Sequence, residues 1–120
     1  VAIHDGVRPL VSEHLIDKLI SATKKGIGVV PAVSIKDSLR KVDGNSSKSV
    51  SKSNLYKVQT PQCFFASTIK DAYKQNFSLF FTDDASVLES NGGKINTILG
   101  EEKNLKITTE EDLKVAEFLR

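Results

Sequence analysis

Methionine and tryptophan are missing altogether from this 120-residue sequence, and cysteine occurs once, at Cys63. A lone cysteine cannot close an internal disulfide, which suits a reducing compartment and makes the cytoplasm the expected location. Because not even an initiator methionine is present, residues upstream of Val1 are expected to be missing from what the sequence covers. No sign of charge dominates either: 17 Lys and Arg stand against 15 Asp and Glu, a formal net charge of +2. That balance argues against a nucleic-acid or anionic-membrane surface, so any anion must be held by a few placed cations. Long apolar runs are lacking. The longest, Ile27 to Val33, is interrupted by glycine and proline and is too short to span a bilayer, and no signal-peptide pattern is seen. His and Cys do not recur at metal-ligand spacing, no Ser-His-Asp arrangement is suggested, and no glycine-rich phosphate loop occurs in this stretch.

What is present reads as alternating strands and helices. Val1-Ala2-Ile3 is a buried-strand triplet that runs into the polar cluster His4-Asp5-Gly6-Val7-Arg8-Pro9. Ser12 is placed to cap a helix bearing Leu15, Ile16, Leu19, Ile20 and Ala22, which Lys24-Lys25-Gly26 would end. Ile27 to Val33 follows as a strand, and strand, helix, strand implies a βαβ unit and an at least partly parallel sheet. Ser34 to Tyr56 is rich in Ser and Lys around the turn signal Asp43-Gly44-Asn45, and predicts a protruding hairpin arm. Its apolar face, Ile35, Leu39, Val42, Val50 and Leu55, is too thin for a core and suits packing on a second subunit. Further on, the pattern predicts a helix from about Ser67 to Gln75. Another, capped by Thr82, runs to Glu89 or Ser90 and is closed by Gly92-Gly93. A strand over Lys94 to Leu99 follows, then a last helix to Leu119 behind the capping box Thr108-Thr109-Glu110-Glu111.

Few residues are placed to do chemistry. Asp5 and Arg8 share a tight loop after a strand, the position where open α/β sheets present ligands. They either pair to fix that loop, or Asp5 accepts hydrogen bonds from hydroxyls or orients a metal-bound phosphate while Arg8 contacts an anion. His4 reads as structural and His14 as a solvent-facing helix residue. Thr60-Pro61-Gln62 offers a hydroxyl and an amide at a rigid bend, suited to a phosphate oxygen. Lys106, in a short extended segment, offers an ammonium to a phosphate as a point charge.

Taken in order, His-Asp-Gly-Val-Arg-Pro at 4 to 9, Lys-Asp-Ser-Leu at 36 to 39, Gln-Thr-Pro-Gln at 59 to 62, Thr-Asp-Asp-Ala-Ser at 82 to 86 and Asn-Leu-Lys-Ile-Thr at 104 to 108 resemble the 2-C-methyl-D-erythritol 4-phosphate cytidylyltransferase family. The resemblance covers the whole chain and the second half of that enzyme. It implies an α/β, Rossmann-like nucleotidyltransferase fold: a mixed, mostly parallel sheet flanked by helices, with a β-hairpin dimerisation arm at about 34 to 56 and the N-terminal half of the fold missing. The implied reaction joins CTP and the sugar-alcohol phosphate, releases pyrophosphate, and belongs to non-mevalonate isoprenoid biosynthesis.

By the same resemblance, Asp5 contacts substrate hydroxyls near the Mg2+ that bridges the CTP phosphates, with no residue named as a direct metal ligand. Arg8 helps to hold the methylerythritol phosphate. Thr60 and Lys106 bind its phosphate, Lys106 positions it for attack, and Thr82 joins the substrate-binding set. Ser38 and Lys52 reach that phosphate from a second copy of the chain, Lys52 standing where the family has arginine, a point charge in place of a fork. The implied partners are CTP, a sugar-alcohol phosphate and a second copy, with no nucleic acid or membrane, in the cytoplasm or, in a eukaryote, a plastid or other organelle stroma. The family's CTP loop would lie upstream of Val1, so the polypeptide alone is expected to be inactive. Two alternatives are ribitol-5-phosphate cytidylyltransferase and a non-catalytic dimerisation or phosphate-binding module.

Overall fold

The computed structural model describes residues 1–120. A five-stranded sheet lies at its centre. β2 (Ile27–Ser34) is the axial strand, its interior residues buried. On one side it pairs in parallel with β7 (Lys94–Leu99), from Ile27↔Lys94 to Ala32↔Leu99. On the other it meets β5 (Tyr56–Val58) and β6 (Gln62–Cys63), both antiparallel, and β6 in turn pairs antiparallel with β1 (Ala2–Ile3). The mostly parallel sheet expected from the sequence is therefore corrected. β1 and β2 do point the same way, as a βαβ unit requires, but β6 inserts between them and runs opposite to both. Short apolar strands carry no direction signal of their own, so the insertion was not visible in the pattern.

The segment from β5 to β6 behaves as one strand with a bulge. Val58 opposes Ala32 and Cys63 opposes Val29, so five steps along β5–β6 match three along β2. The two surplus residues bend the chain outward around Thr60 and Pro61, which are joined by a cis peptide bond. That bend puts the Thr60 side chain at the end of the sheet from which the loop after β1 also leaves.

Helices cover both faces. α1 (Glu13–Ala22) packs Leu15 and Leu19 on Val29 and Cys63, with Ile98 of β7 at the margin. On the opposite face α2 (Ala66–Ala72) and α3 (Asp84–Ser90) enclose Phe64, Ile69, Ala72, Val87 and Leu88, joined by Ile3, Phe81 and Ile95. Each fully buried Leu, Val or Phe contributes roughly 1.5–3 kcal/mol. Gly28 is the close-approach point between β2 and this second layer, since a Cβ there would lie 2.5 Å from Cε1 of Phe64. Cys63 is buried, and that burial pushes its thiol pKa up, so it behaves as a core side chain.

Helix ends depart from the expected caps by one to three residues. Ser12 caps α1 as anticipated, its Oγ accepting from Leu15 N at 3.0 Å. The helix ends at Ala22, however, and Lys24-Lys25-Gly26 form the turn into β2, with Gly26 at φ +77, so no cation sits in its last turn. α2 spans Ala66–Ala72 where Ser67 to Gln75 was expected. Asp83, not Thr82, caps α3, because its carboxylate accepts from Ser86 N while the Ser86 hydroxyl reaches back to the cap. Likewise Thr109 and Asp112 form the capping box of α4 (Glu110–Leu119), one residue later than the Thr108–Glu111 box.

Asp112 accepts three hydrogen bonds at 3.0 Å, from Thr108 N, Thr108 Oγ1 and Thr109 N, which hold its carboxyl below the ordinary carboxylate pKa. A depressed folded-state pKa gives stability that is present above the ordinary value and lost as pH falls through the folded one. Amide protection in the first turn of α4 is therefore expected to fall on acidification, and Asp112→Asn to remove that pH dependence, as read by hydrogen exchange.

Between β2 and β5 the chain forms a separate antiparallel hairpin, β3 (Leu39–Asp43) with β4 (Ser46–Val50), from Leu39↔Val50 to Asp43↔Ser46. Apart from half-buried Leu39, its residues are exposed.

Candidate active site

Three segments distant in sequence meet at one end of the sheet: the loop after β1, the bulge before β6, and the segment after β7. Each is fixed by a hydrogen bond from a backbone N–H. Arg8 N donates to Asp5 O at 3.0 Å, closing the first loop, and Ile107 N donates to Val7 O at 2.9 Å, fastening the third segment to it. Asp5 N donates to Thr60 Oγ1 at 3.0 Å, joining the first to the bulge.

The side chains converge on Asp5. Its Oδ2 lies 3.1 Å from Arg8 Nε and 3.7 Å from Lys106 Nζ. Asp5, Arg8, Thr60 and Lys106 are thus brought into one constellation. The two cations are held differently. Arg8 is only 11% exposed and also donates from Nη1 to Asn104 O at 2.7 Å, so it is an anchor with Nη2 left over for a ligand. Lys106 is 50% exposed and beyond hydrogen-bond distance of Asp5, so its ammonium is free to transfer to an incoming anion. Beside it a cleft of about 220 Å³ is lined by Arg8, Lys57, Gln59, Leu105 and Lys106, among others. Glu102 at its rim is paired with Lys36 at 3.2 Å. The mouth therefore offers Arg8, Lys57 and Lys106 against Asp5, a local cationic excess in a chain of nearly balanced charge.

Beneath these groups sits a buried amide network. Asn104, fully buried, donates from Nδ2 to Thr60 O at 2.8 Å and to Gln59 Oε1 at 3.4 Å. Gln59 accepts from Glu101 N at 3.1 Å and donates to Glu101 O at 2.8 Å. His4 spans the top, with Nδ1 2.9 Å from Thr60 Oγ1 and Nε2 2.9 Å from Arg8 O. Sequence reasoning gave His4 only a structural role and assigned none to Asn104 or Lys57. A signal existed for Lys57, three residues before Thr60 on a strand leading to the same bend, but none for a buried asparagine.

Other anticipated residues lie elsewhere. Thr82 makes no hydrogen bond to the constellation, and its N–H donates to Ser86 Oγ at 2.9 Å, in the cap of α3. Gln62, whose amide was expected to face a phosphate, is buried and engaged by Asp83 Oδ2 and Ala85 N, both at 2.9 Å. Ser38 and Lys52 lie at the base of the hairpin, where Lys52 Nζ donates to Lys36 O at 2.7 Å, and neither is hydrogen-bonded or ion-paired to Asp5, Thr60 or Lys106 of its own chain. Outside the site, burial and the hydrogen bond to Asp84 push the Tyr73 hydroxyl to about 12.

As a magnesium site the residues fit poorly. No three His, Cys, Asp or Glu side chains converge anywhere, and the two carboxylates at the opening are already engaged, Asp5 by two cations on Oδ2 and Glu102 by Lys36. What the arrangement can do is receive a dianion, with a hydroxyl, an ammonium and part of a guanidinium around one opening.

A family model described as IspD, 2-C-methyl-D-erythritol 4-phosphate cytidylyltransferase, matches residues 1–120. A protein of that name from Azobacteroides pseudotrichonymphae is 48% identical over 99% of this chain and 54% of its own length, and one from Bacteroides fragilis is 43% identical over the same shares. The chain thus spans about half the length of the curated relatives it matches. Among solved structures, the cytidylyltransferase of that name from Thermus thermophilus superposes with a TM-score of 0.84 at 29% identity, covering 99% of this chain and 60% of that one. The Francisella tularensis protein does so at 0.86 and 31%, covering 98% and 58%.

Proposed function

We propose, for a chain that belongs to the 2-C-methyl-D-erythritol 4-phosphate cytidylyltransferase family, that residues 1–120 form the acceptor-phosphate side of a cytidylyl transfer. An oxygen of methylerythritol phosphate attacks the α-phosphorus of CTP, the new phosphorus–oxygen bond forms as the bond to the β-phosphate oxygen breaks, and pyrophosphate departs. Proximity and charge stabilisation suffice, without a covalent enzyme intermediate. Lys106 and Thr60 grip the acceptor phosphate, Arg8 braces it, and Asp5 holds both cations in place before accepting hydrogen bonds from substrate hydroxyls. The observation that carries this reading is the meeting of Arg8 and Lys106 on one Asp5 oxygen, next to Thr60, at the ends of three separate segments.

Magnesium enters only as a partner of the nucleotide phosphates, since these residues make no cage for it. The hairpin β3–β4 serves a homodimer and carries Ser38 and Lys52 to the neighbouring site, a reading supported by the exposure of Val42, Val50 and Leu55. Lys52 stays at its base within one chain, so a second copy is needed for it to act.

Residues 1–120 hold no glycine-rich phosphate loop, and the groups that grip CTP are proposed to lie outside them. The 120-residue polypeptide is accordingly expected to give no pyrophosphate from CTP and methylerythritol phosphate, whereas the full-length protein does, with ribitol 5-phosphate a poor acceptor. Turnover by the 120 residues alone, or a preference for ribitol 5-phosphate, would refute the assignment.

A further inference from the structure

Hydrogen-bond polarity around Thr60 is determined by its neighbours. Arg8 O is a carbonyl and can only accept, so the His4 Nε2 that lies 2.9 Å from it must carry a proton. In a neutral imidazole the other nitrogen, Nδ1, is then a bare acceptor, and the Thr60 hydroxyl 2.9 Å away must donate its single proton to it. Thr60 Oγ1 also accepts from Asp5 N at 3.0 Å. So arranged, Thr60 has no proton left to offer and presents a lone pair to the opening, which repels a phosphate oxygen. Protonation of His4 reverses this. Imidazolium Nδ1–H donates to Thr60 Oγ1, Asp5 N–H fills the second lone pair, and the hydroxyl proton turns outward.

Resting on the phosphate-site reading above, we propose that His4 is a positioning residue that sets the direction of the Thr60 hydroxyl, so that the acceptor phosphate is bound together with a proton taken up at His4. The balance is simple: one solvent proton forms an N–H bond at Nδ1, and the Thr60 O–H stays intact while its hydrogen bond turns from Nδ1 to a phosphate oxygen. The charged groups facing His4 are Asp5 and Arg8 on its own loop and Lys106 on the segment after β7, while its direct neighbour on the bulge, Thr60, is neutral. A dianion placed among them favours the imidazolium form, which makes the coupling reciprocal.

The experiment is nitrogen-15 spectroscopy of His4 in the full-length protein, with methylerythritol phosphate as the probe and CTP withheld. Without ligand at pH 8, His4 is expected to carry one proton, on Nε2, and at saturation both nitrogens are expected to be protonated. In parallel, affinity is measured from about pH 7.5 to 9, where the phosphate monoester is already a dianion. It should fall as pH rises in the unaltered protein, by at most about tenfold per pH unit for one linked proton, and this slope should flatten in His4→Asn. Binding that survives Lys106→Ala, or no binding at all, overturns the phosphate-site reading and this inference with it. Binding that needs Lys106 yet leaves His4 singly protonated overturns the inference alone, as does an unchanged slope in His4→Asn. The spectroscopic arm uses the unaltered chain and does not depend on how that variant folds.

Discussion

Lys106→Ala is expected to lower kcat/KM for cytidylyl transfer by about 10²–10³-fold in the full-length protein, the cost typical of removing one group that stabilises charge in a transition state. The fold should not notice. Lys106 is half exposed and makes one ion pair, 3.7 Å from Asp5, and exposed pairs of that kind contribute about 0–1 kcal/mol. The loss therefore belongs to the phosphate and not to stability, which steady-state kinetics beside a urea titration will separate. Lys106→Arg should restore part of the activity, because it returns the charge on a differently shaped head.

Asn104→Ala should have the opposite profile, a loss of stability that drags the site with it. The side chain is fully buried, and its removal strips Thr60 O of the 2.8 Å donor that fixes the bulge. A buried carbonyl left without a partner costs about 1–3 kcal/mol, and the space vacated adds to that. A drop of roughly 2–4 kcal/mol in urea unfolding is expected from the two together, with a raised KM for the acceptor as Thr60 and Lys106 lose their common register. Asn104→Asp should do no better, since a carboxylate has no N–H to give Thr60 O. The Oδ1 of Asn104 is buried without a partner in the present arrangement, as is Glu101 Oε2. The Asn104 side chain is thus held in the network through Nδ2 alone.

The contrast between these two residues shows how far the sequence could be read. Lys106, Asp5, Arg8 and Thr60 were legible because each sits in a short motif at an element boundary, where a polar residue after an apolar strand has few structural duties. Asn104 stood in the same motif as Lys106 and carried no mark of its role, because being buried against a carbonyl 44 residues earlier is a property of the tertiary fold. Strand positions and the hairpin turn followed from apolar alternation and from Asp43-Gly44-Asn45. The direction of β6, and the bulge that exposes Thr60, did not, since a two-residue strand contains no period to read. Gln62 was misjudged because a polar side chain near a loop was assigned to a ligand, while the start of α3 claims its amide through Asp83 and Ala85. Helix caps are local and should be legible, yet the caps of α3 and α4 each shifted by a residue because adjacent threonines and aspartates compete for the same amides.

The most direct measurement is a crystal structure of the full-length protein with methylerythritol phosphate bound. The phosphate is predicted to sit within hydrogen-bond reach of both Thr60 Oγ1 and Lys106 Nζ, with Lys106 withdrawn from Asp5 and Arg8 still anchored to Asn104. A phosphate seated on other residues, with the Asp5–Lys106 pair undisturbed, would contradict the account at its centre.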